Sequence, residues 1–240
     1  MGGFQPIDSV TMTTPKALIL AAGRGERLRP LTDHTPKPLL QVRGKPLIEW
    51  HLEALARAGV REVVVNTAWL EDQFPTALGD GSRWGLRLHC SMEGRDHGGA
   101  LETAGGIVKA LPLLGDVFWV VSGDVFLPGF GFEAEAAHRF EGSALDAHLW
   151  MVRNVPHHPG GDFLIDAQGL LQDSGPGERL TWASVGLFRA TMFEGMSPGA
   201  RLPLRPLLDK AIGQRRLGGE LWPGAWTDVG TAERLALLNC

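Results

Sequence analysis

Four cationic side chains lie within fourteen residues of one glycine-containing loop near the start of the chain. They are Arg24, Arg27, Arg29 and Lys37. The small residues of this loop, which begins Ala-Ala-Gly-Arg-Gly, allow its backbone to approach a phosphate closely, and its exposed N–H groups can bind phosphate oxygens. The four charges suit a triphosphate and a pyrophosphate leaving group. Prolines on both sides of Lys37 restrict the backbone there, which favours a binding role over an ordinary solvated loop.

This loop differs from two common phosphate-binding motifs. The P-loop pattern G-x-x-x-x-G-K-[ST] does not occur in it, and the third glycine of the dinucleotide fingerprint is missing. The loop therefore predicts phosphate chemistry without predicting either of those folds.

Two acidic residues far apart in the chain are candidates for a shared metal site. Asp124 follows a strongly apolar run, and Asp228 lies in a Trp-Thr-Asp-Val-Gly turn before the last predicted helix. One or two carboxylates, completed by substrate phosphate oxygens, are the usual ligands of Mg²⁺ in proteins. The alternative is that each aspartate caps a turn or a helix, and for Asp228 the two interpretations carry equal weight.

The elements that must position these residues alternate along the first two thirds of the chain. Short apolar runs predict buried strands, at residues 16–22, 62–66, 86–90, 117–122 and 147–152. Apolar residues at helical spacing predict helices, at residues 46–58, 70–78, 101–111 and 133–140. This alternation implies an α/β fold with a doubly wound, mainly parallel sheet. Ligands bind such sheets at the carboxyl ends of the strands, where the loop and Asp124 lie.

After about residue 154 the predicted elements become shorter, and proline and glycine residues separate them. Segments rich in proline and glycine, at 156–161 and 175–177, predict hairpins that cover the sheet. Later strands are predicted at 180–188 and 219–221, and later helices at 203–212 and 231–239.

Composition excludes several classes of protein. Of the 240 residues, 44% are apolar and 21% are charged, as in ordinary globular chains. The net charge of −4 gives no basic field for nucleic acid, and the apolar runs are shorter than the roughly 18 residues that a membrane helix needs. Two cysteines are too few for a disulfide framework. Because no signal peptide is recognisable, we expect a cytoplasmic protein without nucleic-acid or membrane partners.

The motifs together resemble the signature of the sugar-1-phosphate nucleotidyltransferases. That signature, G-x-G-x-R-[LM]-x-P-L-T followed by P-K-P, stands here at residues 23–32 and 36–38. The resemblance continues in LETAGG, in Gly123-Asp124 and in WTDVGT, which begin at residues 101, 123 and 226. Within the family the likeness is greatest to the N-acetylmuramate-1-phosphate uridylyltransferases, on residues 78–82, 109–115 and 156–163.

The resemblance implies a Rossmann-like nucleotidyltransferase fold and a reaction that needs no general base. A sugar 1-phosphate oxygen attacks the α-phosphorus of a nucleoside triphosphate, and pyrophosphate leaves. The family pattern assigns the cofactor Mg²⁺ to Asp124 and Asp228, and charge neutralisation to Arg27 and Lys37. It implies sugar contacts from Ser122 and Asp162. It implies nucleotide contacts from Ala21, Ala22, Gly23, Gly25, Glu26, Arg27, Lys37, Glu93, Gly105 and Gly106.

Some of these residues have simpler alternatives. Glu93 is either a base contact or an exposed glutamate, and Arg29 is either a phosphate contact or a salt bridge that orders the loop. His157 and His158 resemble a metal pair, but the side chains of adjacent histidines usually diverge.

The sequence also departs from the family pattern. Many relatives carry a Glu-Lys-Pro segment whose lysine holds the sugar phosphate, and none is found here; Arg153 and Arg201 are candidate replacements. The loop at residues 94–100 is longer than in the muramate enzymes.

We interpret residues 16–240 as one domain, with a nucleotide half over about 16–150 and a small hairpin-rich sugar half over about 151–240. Residues 1–15 are interpreted as a flexible extension.

We expect small-molecule substrates, UTP and N-acetylmuramate 1-phosphate, for peptidoglycan recycling by a monomer or small homo-oligomer. The alternatives are a mannose-1-phosphate guanylyltransferase, a glucose-1-phosphate thymidylyl- or uridylyltransferase, and a catalytically silent nucleotide-sugar sensor.

Overall fold

The computed structural model describes residues 14–240. The predicted extension at residues 1–15 lies outside the described residues apart from its last two. The strands are β1 (Ala17–Leu20), β2 (Gln41–Val42), β3 (Lys45–Pro46), β4 (Glu62–Thr67), β5 (Arg87–Met92), β6 (Val117–Ser122), β7 (Val125–Phe126), β8 (Ala147–Val152), β9 (Leu164–Ile165), β10 (Leu171–Gln172), β11 (Thr181–Arg189), β12 (Leu217–Leu221) and β13 (Thr227–Asp228). The α-helices are α1 (Leu47–Arg57), α2 (Gln73–Leu78), α3 (Glu93–His97), α4 (Glu102–Ala110), α5 (Ala134–Glu141), α6 (Arg205–Gly213) and α7 (Ala232–Leu238).

The main sheet has seven strands in the order β12-β8-β11-β6-β1-β4-β5. β1 pairs in parallel with β4 and β6, β4 with β5, and β8 with β12, whereas β11 runs antiparallel to both of its neighbours. Apolar side chains fill both faces of this sheet, with α1, α2 and α5 on one face and α4 and α6 on the other. The predicted doubly wound, mainly parallel α/β fold is confirmed.

The register of the central strands brings their carboxyl ends to one edge of the sheet. Leu20, the last residue of β1, pairs with Asn66 of β4 on one side and with Ser122 of β6 on the other. The chain therefore leaves β1 and β6 side by side, and the loops that follow must share one region of space.

The start of α2 and the ends of most other predicted elements differ by a few residues from the structure. α2 begins at Gln73 rather than at residue 70, because Leu70 adopts a left-handed backbone conformation with φ of 49°. In the second half, β9 and β10 form an antiparallel hairpin that packs on the sheet through Leu171, against Gly219 of β12.

Over residues 14–240, none of the helices combines the length and the apolar character that crossing a membrane requires.

Candidate active site

A cavity of about 490 Å³ opens at the edge of the sheet where β1, β4 and β6 end. The predicted loop residues form one wall of it, and the end of β6 forms the floor. Its lining residues are Leu20, Ala21, Ala22, Gly23, Gly25, Glu26, Arg27, Lys37, Pro38, Asn66, Ala100, Glu102, Thr103, Ser122, Asp124 and Gly230. The structure thus brings the loop residues predicted to contact the nucleotide together with Ser122 and Asp124.

The glycine-containing loop is folded back on Lys37. Gly25 has φ of 69°, a left-handed conformation that favours glycine. A Cβ atom at Gly25 would lie 3.2 Å from the Cβ of Lys37, and the hydroxyl of Thr32 donates a hydrogen bond to the carbonyl of Gly25 at 2.9 Å. The loop therefore packs directly against the lysine, whose side chain is only 9% exposed.

Lys37 forms a direct ion pair with Asp124, and both residues line the cavity. Its Nζ lies 2.6 Å from Oδ2 of Asp124, and the hydroxyl of Ser122 donates to Oδ1 at 2.7 Å. Burial by itself raises the pKa of the Asp124 carboxyl, but the charge and hydrogen bond of Lys37 and the hydroxyl of Ser122 outweigh burial, and the pKa lies below its ordinary value. Asp124 is therefore ionised and able to act as a ligand.

Backbone pairing brings Asp228 beside Asp124. β13 runs antiparallel to β7, with Asp228 opposite Val125, and the N–H of Val229 donates to the carbonyl of Asp124 at 2.8 Å. Asp228 itself does not line the cavity, but it lies beside Gly230, which does: a Cβ at that glycine would lie 2.9 Å from Oδ2 of Asp228. The two aspartates, separated by about a hundred residues in the sequence, thus lie on paired segments at one cavity.

This donor set fits a divalent cation that is completed by a ligand. No group of three or more histidine, cysteine, aspartate or glutamate side chains in the described part of the chain is placed to hold a metal by itself. Two carboxylates suit Mg²⁺, which usually keeps one or two protein carboxylates and takes its other oxygens from water and substrate phosphates.

Two cations of the loop contact other protein side chains instead of lining the cavity. Nε of Arg29 donates to Oδ1 of Asp33 at 2.8 Å, so the salt-bridge alternative describes this arginine. The guanidinium of Arg24 stacks on Trp69 at 3.8 Å from the ring centroid. Arg27 and Lys37 are the loop cations that line the cavity.

The structure does not bring Glu93, Gly105 and Gly106 to the cavity. Gly105 and Gly106 do permit close approach, but of protein groups: a Cβ at Gly105 would lie 2.4 Å from the carbonyl of Ala200, and one at Gly106 would lie 2.6 Å from Oε1 of Glu93. The nucleotide contacts inferred for these three residues are corrected to packing contacts behind the cavity wall.

Glu93 is neither an exposed residue nor a base contact, because it is completely buried. Its Oε1 accepts from the Nδ2 of Asn66 at 2.7 Å, and its Oε2 accepts from the N–H of Leu101 at 2.8 Å. The Oδ1 of Asn66 in turn accepts from the N–H of Ala21 at 2.7 Å. This chain of hydrogen bonds fixes the start of the phosphate loop relative to the start of α4. The only sequence signal for Asn66 is a polar residue near the end of a buried strand.

Glu93→Gln is expected to lower the free energy of unfolding by about 1–3 kcal/mol, the usual effect of leaving a buried donor unpaired. Glutamate accepts with both oxygens, whereas the amide NH₂ of glutamine would face a donor. Burial raises the pKa of Glu93, and its hydrogen bonds act against that shift. Urea unfolding measures the effect, with the exposed Glu141→Gln as control; equal stability of the two variants would contradict the proposed network.

The sugar-side candidate Asp162 lies at an adjoining cavity of about 250 Å³, which shares Glu102 and Thr103 with the first. Its Oδ2 accepts from the N–H of Trp182 at 2.8 Å, and its Oδ1 lies 3.1 Å from Nε2 of His158. The neighbouring His157 turns the other way, to Asp228, so the two histidines diverge. Arg153 and Arg201, the candidate phosphate cations, line neither cavity.

His51 of α1 forms a hydrogen bond to the backbone of the segment that follows Asp124. Its Nε2 donates to the carbonyl of Val125 at 2.9 Å. Burial lowers the pKa of His51 from 6.5 to about 4, against the opposite effects of this hydrogen bond and of the Asp124 charge. The imidazole is therefore neutral in the folded protein at neutral pH. Nothing in the sequence pattern of α1 distinguishes this histidine from the apolar residues beside it.

His51 is expected to destabilise the protein as the medium is acidified. Because its pKa is lower in the folded than in the unfolded chain, its stabilising contribution is complete above pH 6.5 and is lost as the pH falls towards about 4. The loss over this window is about 3 kcal/mol. Urea unfolding at pH 7 and pH 4.5 measures it. The free energy of unfolding of His51→Asn should vary less with pH than that of the wild type, and parallel pH profiles would contradict the assignment.

Comparison with known proteins places these features in context. The sequence profile of the nucleotidyl transferase family matches residues 16–160. The N-acetylmuramate alpha-1-phosphate uridylyltransferase of Neisseria meningitidis serogroup B is 49% identical over 225 residues, which cover 92% of this chain and 95% of that protein. The protein of the same name from Caulobacter vibrioides is 32% identical, covering 89% of this chain and 91% of its own length.

Similarity to solved structures extends over the same region. A putative glucose-1-phosphate thymidylyltransferase from Bacillus anthracis, solved in complex with a sucrose, superimposes with a TM-score of 0.79 over 93% of both chains. At 20% sequence identity this likeness shows a shared fold.

Proposed function

This chain belongs to the nucleotidyl transferase family, and we propose that it transfers the uridylyl group of UTP to N-acetylmuramate 1-phosphate, releasing pyrophosphate. Its similarity to the Neisseria enzyme over nearly the full length of both chains supports this choice of substrates. One structural observation carries the proposal: Arg27 and Lys37 of the loop line one cavity with Asp124, and strand pairing brings Asp228 beside it, although both aspartates lie far from the loop in the sequence. The product would be an activated cell-wall sugar, as peptidoglycan recycling requires.

The triphosphate is bound by the loop after β1. Backbone N–H groups around Gly23 and Gly25 approach the phosphates, and Arg27 adds a positive charge from the cavity wall. Two small lining residues, Ala22 and Ala100, leave room in the cavity for the base. Lys37 lies beside the carboxylate of Asp124, where charge would develop on the α-phosphate of the transferred uridylyl group.

The reaction is an in-line displacement. A phosphate oxygen of the sugar 1-phosphate forms a bond to the α-phosphorus of UTP, the bond from this phosphorus to the bridging oxygen breaks, and pyrophosphate leaves with the electron pair. The attacking oxygen is already anionic, so no residue has to remove a proton. Asp124 and Asp228 would hold Mg²⁺, which when bound neutralises phosphate charge. The chain's own contribution is positioning and electrostatic stabilisation.

The substrates are tested by measuring pyrophosphate release for a matrix of nucleoside triphosphates against sugar 1-phosphates. UTP with N-acetylmuramate 1-phosphate is expected to give the highest kcat/KM. If GTP with mannose 1-phosphate, or dTTP with glucose 1-phosphate, gives a higher value, the proposed substrates are wrong while the reaction class stands. If no pair releases pyrophosphate in the presence of Mg²⁺, a nucleotide-sugar sensor becomes the better interpretation of the chain.

A further inference from the structure

Each of the two candidate metal carboxylates already carries a cation of the protein. Lys37 lies 2.6 Å from Asp124, and Nη1 of Arg234 lies 2.7 Å from Oδ1 of Asp228. Two negative charges thus face two positive charges. A Mg²⁺ ion approaching this pair alone is attracted far less strongly than it would be by two unpaired carboxylates.

Arg234 is built into this position. Its side chain is 15% exposed, and its backbone N–H donates to the hydroxyl of Thr231 at the start of α7. Gly230 makes room for the guanidinium, because a Cβ there would lie 2.2 Å from Nη2 of Arg234. His157 reaches the same oxygen of Asp228, at 2.6 Å, and also contacts Nη1 of Arg234.

The carboxylate of Asp228 is held closely by these protein groups. Arg234 and His157 both contact Oδ1 of Asp228, and Oδ2 lies on the side of Gly230 where Nη2 of Arg234 also lies. Both oxygens therefore lie close to the guanidinium, so protein groups compensate the charge of Asp228 before any ligand binds.

We propose that Arg234 is a positioning residue and counter-ion which, with Lys37, keeps the two aspartates from capturing a divalent cation until a triphosphate supplies further negative charge. The metal then enters with the nucleotide. This inference rests on the proposed function only in assigning the aspartates to a metal, and it does not depend on which base or sugar is used.

The test is a titration of the intact protein with Mn²⁺, followed by the electron paramagnetic resonance signal of the free ion. Arg234→Gln removes the charge and is expected to bind Mn²⁺ about tenfold more tightly than the wild type in the absence of nucleotide. The stronger attraction between Mn²⁺ and the unpaired carboxylate of Asp228 outweighs the loss of the Arg234 side chain that holds this carboxylate in place, because opposite charges interact strongly near a protein surface. With a non-hydrolysable UTP analogue present, the two proteins should bind Mn²⁺ with affinities closer to each other.

Three further variants make the result specific. Arg234→Met also lacks the charge but keeps the apolar stem, so a folded sample of either neutral variant is sufficient. Arg234→Lys retains the charge and should bind Mn²⁺ within about twofold of the wild type. Arg216→Gln is the matched control, because Arg216 makes an equally short pair, 2.7 Å, with Asp146; its affinity should not change.

Unchanged or weaker Mn²⁺ binding by both neutral variants would overturn the proposal and reduce Arg234 to an anchor for Asp228. Equal tightening by Arg216→Gln would overturn it as well, since net charge alone would then explain the effect. The Mn²⁺ titration and the substrate matrix test different claims. Mn²⁺ binding to the free protein requires neither turnover nor a sugar, so it can fail or succeed independently of the proposed function, which the pyrophosphate assay tests.

Discussion

Asp124→Asn is expected to lower kcat by about 10³-fold, while the variant folds with native secondary structure. The substitution removes one of the two candidate metal carboxylates and leaves Lys37, 2.6 Å from this side chain, without its counter-charge. Losing several kcal/mol of charge stabilisation in the transition state corresponds to a rate effect of this size. Pyrophosphate release under saturating UTP and sugar 1-phosphate measures it. Asp228→Asn should act in the same direction, because both aspartates lie on paired segments at the cavity.

Asp209→Asn is the control for this experiment. Asp209 is a surface aspartate on α6 that pairs with Arg205, and removing its charge should leave kcat within about twofold, as expected for an exposed pair. Near-normal turnover of Asp124→Asn at modest Mg²⁺ would show that the aspartate does not hold the metal.

Lys37→Ala is expected to lower kcat by about 10²–10³-fold, the usual cost of removing one group that stabilises developing charge. The lysine is nearly buried, lies between two prolines and lines the cavity, so water cannot replace its charge at the same position. Steady-state kinetics should place most of the effect in kcat rather than in the KM for UTP. Arg27→Ala, on the outer wall, should raise the KM for UTP as well.

Arg29→Ala is the matched control, since it removes a cation from the same loop. Arg29 pairs with Asp33 and does not line the cavity, so its loss should have a smaller effect than that of Lys37. A Lys37→Ala enzyme within about threefold of the wild type would show that the prolines and the lysine are structural.

The strands could be predicted well from the sequence where the signal is local. β6 and β8 have the predicted limits, 117–122 and 147–152, because each is apolar at all but one position and is buried on both faces. The start of α2 could not be predicted, since the left-handed conformation of Leu70 has no signature in a leucine.

The same distinction holds for the candidate site. The glycine loop and Lys37 are contiguous in sequence, so their motif predicts a shared role, and they line one cavity. Glu93 was misassigned because its partners, Asn66 and Leu101, come from β4 and from the start of α4. Two side chains contact Asp228: Arg234 from α7, and His157 from a loop 71 residues away. These contacts depend on the folded chain and could not be predicted from a local sequence pattern.

The central claim is that this cavity joins two substrates rather than merely binding or hydrolysing one. It is tested most directly by quenching the reaction of UTP with N-acetylmuramate 1-phosphate at intervals and quantifying the products by mass spectrometry. We expect UDP-N-acetylmuramate and pyrophosphate to appear in equal amounts, with no UMP. With Asp124→Asn, we expect neither product to form at a measurable rate over the same intervals. Pyrophosphate accompanied by UMP without the nucleotide sugar, or no conversion of UTP at all, would contradict the account.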